Sequence, residues 1–323
     1  MKTVRRVSAR LRRPGARKAI AGAARAATSA AAGAAIWAAA RRRRRLRSEE
    51  IRPLRSLWTT VEGRPMHALA SADVPNPHLE SIVLVHGFGV ASFCFTRLAK
   101  RLATRFSVYA IDLPGHGRSK APPNDLKIPE FADALVAWMG AAGLRRVSLI
   151  GASMGCQVVV DAAVRYAERF DRLVLLAPTT DPSGRTFVQH IARFAAGLPL
   201  EPLRLRLHRT ANWARRADRL LPELRHMLND PIERKLPQVI HPVLMMRGER
   251  DKLVPQRWFD EAARLVGARR CVVIPGEGHS IHYTAARQVA DAVISFLRSP
   301  GPIGARLSRP SRAAAAMQWM GDE

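Results

Sequence analysis

Residues 147–155 run VSLIGASMG, and the fold turns on this stretch. Val147 to Ile150 is an apolar run of strand type. Gly151-Ala152-Ser153-Met154-Gly155 interrupts it, and an apolar, small-residue segment follows over 156–164. The order is strand, sharp turn, helix, with one serine at the apex. The G-x-S-x-G spacing needs its glycines because a side chain at 151 or 155 would crowd the neighbouring backbone in so tight a turn. Such a turn lifts Ser153 Oγ clear of the sheet and sets it at the N-terminus of the next helix. There, backbone N–H groups and the helix dipole favour developing negative charge. Five residues can match by chance in a chain rich in glycine and alanine; the strand before and the helix after give the match its weight.

The same alternation extends outward. Residues 57–61 and 66–70 alternate apolar and polar on either side of Glu62-Gly63-Arg64-Pro65, the pattern of a hairpin. Ser81–Val85 is a buried-strand run ending in His86-Gly87-Phe88-Gly89, and 91–104 has helical spacing with Phe95, Leu98 and Leu102 on one face. A strand over 106–111 closes in Asp112-Leu113-Pro114-Gly115-His116-Gly117-Arg118-Ser119, before a helix over 128–142. Further strands lie at 172–176, 243–246 and 271–274, with helices over Gln256–Val266 and 284–297. This alternation predicts an α/β fold: a mostly parallel, doubly wound sheet with right-handed crossovers, covered on both faces. Ligands in such sheets bind at the carboxyl ends of the strands, and every motif above lies at such an end.

Residues 179–236 break the rhythm. They hold no strand run, carry prolines at 182, 199, 202 and 222, and contain amphipathic stretches over 187–196 and 213–228. This predicts a helical cap inserted over the site between two core segments, 56–178 and 237–298. Its basic and apolar faces suit an anionic substrate or a membrane surface, although most such charges simply face water.

Over the 323 residues the formal charge is +27, unevenly spread: residues 1–55 carry 17 basic and two acidic side chains. That arm, with an alanine-rich centre at 19–40 and the run Arg41 to Arg45, has the traits of a secretory signal, a transit peptide or a short membrane segment. The uncharged window 26–40 is short for a span, where about 20 apolar residues are usual, and the arginines after it oppose translocation. The favoured expectation is a disordered or partly helical basic arm that touches anionic membrane or polyanion weakly, on a cytoplasmic protein. Residues 299–323 are expected to form a flexible tail. Cys94, Cys156 and Cys271 are scattered in apolar contexts and are expected in the core, as in a reducing compartment.

With these elements placed, the chain resembles the α/β-hydrolase superfamily, serine-nucleophile branch, over about residues 57–298. His86-Gly87-Phe88-Gly89 looks like its oxyanion loop, Asp112 to Ser119 like its DLPGHGRS segment, and Gly151 to Gly155 like its nucleophile elbow. Arg247 to Pro255 and Gly276-Glu277-Gly278-His279 look like its acid and histidine loops. The resemblance implies a catalytic triad of Ser153, Asp251 and His279, in the chain order of that fold. It also implies an oxyanion hole made by the backbone N–H groups of Phe88 and Met154. Asp181 is an alternative acid, His282 a pocket-edge residue, and His86 and His116 braces for backbone. Glu249 and Asp260 are expected on the surface, and Cys156, where many relatives carry glycine, is expected only to pack. No histidine–carboxylate spacing suggests a metal and no glycine-rich loop a nucleotide, so no cofactor is expected.

The function expected is hydrolysis of a carboxylic ester, or related acyl bond, through an acyl-enzyme. The substrate would be a small apolar ester. A C–C bond hydrolase or an acyltransferase would use the same triad. A ligand-binding protein that keeps the scaffold without catalysis is a rival of another class. No nucleic-acid fold signature is present, and the oligomeric state is left open.

Overall fold

The computed structural model of the chain describes residues 53–72, 75–76 and 78–299. The basic arm up to residue 52 and the tail from 300 lie outside the described residues. The sheet has eight strands: β1 (Arg55–Val61), β2 (Arg64–Ala70), β3 (Ser81–Val85), β4 (Ser107–Ile111), β5 (Val147–Ala152), β6 (Phe170–Leu176), β7 (Val243–Gly248) and β8 (Arg270–Ile274). Their order is β1-β2-β4-β3-β5-β6-β7-β8, antiparallel across the β1–β2 hairpin and β2–β4, parallel from there on. β1 starts at Arg55, inside the segment assigned to the arm, because its backbone pairs with Ala70.

Ten α-helices accompany the strands among the described residues. They are α1 (Thr96–Leu102), α2 (Ile128–Ala141), α3 (Met154–Arg165), α4 (Phe187–Gly197), α5 (Leu203–Ala214), α6 (Ala217–Asn229), α7 (Ile232–Lys235), α8 (Gln256–Val266), α9 (Ile281–Thr284) and α10 (Ala286–Arg298). None of them is long and apolar enough to cross a membrane. Two expected helices are subdivided. The one over 91–104 opens with a tighter turn at Ser92–Phe95. The one over 284–297 is interrupted at Ala285, whose φ of −110° and ψ of 31° are not helical.

The period-two alternation of the strands sorts their side chains into two cores. Val83, Val85, Leu149, Leu173 and Met245 face α2, α3 and α8, where Trp138, Val158 and Trp258 meet them. Ile82, Leu84, Ile150, Val174 and Met246 face α1 and α10, packed by Leu98, Leu102, Val293 and Phe296. Cys94 and Cys156 are buried as expected, but Cys271 is exposed. Its strand, β8, is the last of the sheet and pairs with β7 alone, so an apolar run there is not covered on all sides.

Candidate active site

The backbone at Ser153 has φ 54° and ψ −122°, a conformation that a residue with a side chain keeps only where its surroundings impose it. The surroundings are specific. Ser153 N–H donates to Leu176 O at 2.9 Å, which ties the turn to the end of β6. A Cβ on Gly151 would lie 2.6 Å from Gly155 O, and one on Gly155 would overlap Val85 O at the end of β3. Gly87 presses on the serine itself: a Cβ there would sit 2.9 Å from Ser153 Cβ. Beneath the turn, the buried Cys156 thiol donates to Gly151 O at 3.2 Å, and burial raises its pKa.

The loops after β7 and β8 meet because Gly248 has no side chain; a Cβ there would overlap Gly278 O and Glu277 O. Arg250 N–H donates to Glu277 O at 2.8 Å, and Glu249 N–H to Ile274 O at 2.9 Å. This contact brings His279 Nδ1 within 2.8 Å of Asp251 Oδ2, while Asp251 Oδ1 accepts from the N–H groups of Leu253 (2.9 Å) and Val254 (3.1 Å). Burial works against protonation of His279, but the charge and hydrogen bond of Asp251, helped by Glu201, more than offset it and raise its pKa above 6.5. Among the described residues no hydrogen bond joins the Ser153 hydroxyl to the His279 ring.

Helices between β6 and β7 press on these loops from above. Asn212 Nδ2 donates to Gly89 O at 3.0 Å, and a Cβ on Gly89 would overlap the Trp213 indole. Trp213 lies between Phe88 (6.2 Å between ring centres) and Phe194 (5.8 Å). Glu201, beside His279, accepts from Ser280 Oγ at 2.8 Å and is ion-paired with the buried Arg209. Arg209 in turn stacks over the Phe194 ring at 4.7 Å.

Residues 82–292 match the family model described as the Alpha/beta hydrolase family. The chain belongs to that family. It is 28% identical over 244 residues to a pimeloyl-[acyl-carrier protein] methyl ester esterase of Xanthomonas oryzae, covering 69% of the chain and 96% of that relative. It is 30% identical to an uncharacterized protein of Mycobacterium bovis over 132 residues, 41% of the chain but only 39% of that protein's length. A bacterial membrane phospholipase A has the same fold, with TM-score 0.63, 22% identity, and coverage of 87% of this chain and 98% of that one.

Several residues weighed from the sequence are engaged elsewhere. Asp181 is no partner of His279; its buried carboxylate accepts from Arg193 (2.8 Å), Arg257 (3.0 Å) and Ser183 (3.0 Å). His86 braces backbone, accepting from Leu113 N–H at 3.1 Å and donating to Gly87 O at 2.9 Å; burial, then the nearby His116, lowers its pKa to about 3. His116 lies 3.1 Å from Pro114 O but also 2.9 Å from Glu223 Oε1, so it ties the core to α6 as well. His282 is buried against Phe95, and burial pushes it down to about 3. Glu249 is exposed, yet it accepts from Gly276 N–H at 2.8 Å and so shapes the histidine loop. Asp260 is exposed and accepts from Gln256.

Sequence reasoning placed Arg247 in the acid-loop motif without a role of its own; it is buried and donates to the carbonyls of Glu249 (3.1 Å) and Asp251 (3.2 Å), bracing that loop. The same reasoning missed Glu201 and Arg209. A lone acid among the arginines of 185–217 was the available signal. Among the described residues no cluster of three or more His, Cys, Asp or Glu is placed to hold a metal.

Proposed function

We propose that this hydrolase cleaves carboxylic esters through an acyl-enzyme, with Ser153 as nucleophile, His279 as base and then acid, and Asp251 orienting the imidazole. The observations that support this most are the 2.8 Å bond from His279 to Asp251 and the positive φ at which Ser153 is held at the apex of its turn. A serine hydroxyl is weak until a base takes its proton. With Nδ1–H committed to Asp251, Nε2 presents the lone pair that takes it. Hydrogen bonds of this kind are often long in the free enzyme and tighten when substrate binds.

Attack of Ser153 Oγ on the ester carbon gives a tetrahedral intermediate. Its oxyanion would rest on the N–H of Met154, which as the first of α3 has no partner within the helix, and on that of Phe88. One such donor is typically worth about 10²–10³ in rate. His279 then returns the proton to the departing alcohol, and water, activated by the same ring, releases the acid. The chemistry so written needs no cofactor.

The helices over 187–229 serve as the cap, and Phe88, Phe194 and Trp213 suit an apolar acyl chain. The Xanthomonas relative is named for a methyl ester, which makes methyl and other short-alcohol esters the first substrates to try. The test is turnover of p-nitrophenyl esters by Ser153→Ala and His279→Ala. Each is expected to lose at least about a thousandfold in kcat; a wild-type rate in either overturns the assignment.

A further inference from the structure

A second serine ends a relay of the same composition, at the antiparallel edge of the sheet. Asp112 follows β4, His67 lies on β2 and Ser56 on β1. His67 Nδ1 lies 2.7 Å from Asp112 Oδ2, and its Nε2 lies 3.0 Å from Ser56 Oγ. With Nδ1–H given to the carboxylate, Nε2 is the acceptor for the hydroxyl proton. Asp112 is fixed by the N–H groups of Ser92 (2.7 Å) and Arg118 (3.0 Å), and Gly117 is bare because a Cβ would overlap the carboxylate. Arg118 Nη1 donates to Ser56 Oγ at 3.0 Å, so a cation stands where charge on that oxygen develops.

A brace between hairpin and loop accounts for the buried His67–Asp112 pair. It does not account for the exposed hydroxyl at the far end, nor for the cleft into which the relay opens. That cleft has a volume of about 490 Å³ and is lined by Ser56, His67, Asp112, Phe93, Arg118 and Arg215 among others, with Ser153, Asp251 and His279 all absent from its walls. The volume falls within the range of small-molecule sites, roughly 300–1,000 Å³. Two guanidinium groups beside an aromatic wall suit a ligand that is part apolar and part anionic.

We propose that Ser56, His67 and Asp112 form a second acylation site, for small esters that carry an anionic group. Ser56 Oγ bonds to the ester carbonyl carbon as its proton passes to His67 Nε2. Collapse of the intermediate breaks the bond to the alcohol, which leaves with that proton. Water, deprotonated by His67, then frees the acid and restores the serine.

The test uses the full chain carrying Ser153→Ala and, in parallel, Ser153→Gly, which suits the positive φ there; neither change touches the cleft. Each is treated with a fluorophosphonate, and adducts are followed by peptide mass spectrometry. Ser295 is the internal reference: its exposed hydroxyl accepts from Arg270 Nη1 at 3.2 Å but, among the described residues, has no histidine bonded to it. Assistance by a general base is worth about 10² or more, so Ser56 is expected to label about a hundredfold faster than Ser295. Adding His67→Gln is expected to bring Ser56 down to the Ser295 rate, with the melting temperature checking the fold. Mono-p-nitrophenyl succinate is expected to acylate Ser56 faster than p-nitrophenyl acetate. Ser56 labelling no faster than Ser295 in the folded Ser153 variants overturns the site, and equal rates with the two esters overturn its anionic preference.

Discussion

Asp251→Asn is the substitution whose outcome the structure specifies most tightly. Asp251 Oδ1 accepts two backbone N–H groups, from Leu253 and Val254, and Oδ2 accepts from His279 Nδ1. An asparagine in this place keeps its carbonyl oxygen on the two N–H donors, because its NH₂ there would face like groups. Its NH₂ therefore turns to His279. Nδ1 must then accept, the ring proton moves to Nε2, and the imidazole can no longer take the Ser153 proton. Volume and hydrogen-bond count barely change, so the fold is expected to persist. Loss of the correct tautomer at such a position costs about 10⁴ in kcat, or about 5.4 kcal/mol of transition-state stabilisation. The assay is steady-state turnover of p-nitrophenyl butyrate by wild type, Asp251→Asn and Asp181→Asn, with melting temperatures alongside. Asp181 is consumed by Arg193, Arg257 and Ser183, so its variant is expected to keep kcat within a few-fold. An Asp251→Asn enzyme above about a tenth of wild-type kcat would refute the tautomer argument, as would an Asp181→Asn enzyme equally impaired.

Two further outcomes concern pH. In its proposed role as base His279 must be neutral, and its pKa lies above 6.5 because Asp251 and Glu201 outweigh burial. The acidic limb of kcat/KM is therefore expected above pH 6.5, moving to lower pH in Glu201→Gln; an unmoved limb removes Glu201 from the account. Burial pushes the Glu223 carboxyl up, but His116 and Arg216 outweigh it and bring its pKa to about 2 from 4.5. The stabilisation this represents is present above pH 4.5 and lost as pH falls toward 2. Glu223→Gln is expected to cost about 3 kcal/mol in urea unfolding at neutral pH. That difference should shrink between pH 4.5 and pH 2, and one that stays constant would assign it to shape rather than charge.

The strands and their terminal motifs were legible because both leave local marks. Period-two apolar runs sort residues such as Ile82 and Val83 to opposite faces, and bare glycines flag close approaches such as Gly155 under Val85 and Gly248 under Gly278. The pairing of His279 with Asp251 rather than Asp181 was favoured from the acid-loop motif. The arginines that occupy Asp181 come from α4 and α8, and no local pattern announces them. Glu201 and Arg209 left only a compositional hint, one acid among the arginines of 185–217, and Asn212 on Gly89, 123 residues apart in the chain, left none. Cys271 went astray because composition registers an apolar run but not that its strand ends the sheet. The break at Ala285 has no proline or glycine to mark it.

The attachment of α5 to Gly89 has a mechanical consequence. Any motion that lifts α5 from the core must break the Asn212 hydrogen bond and draw the Trp213 indole away from the loop that runs alongside Ser153. On the proposed reading, gate and reaction chamber share a hinge-pin: an opened molecule would admit an ester into a half-built chamber whose walls come together only as the door shuts.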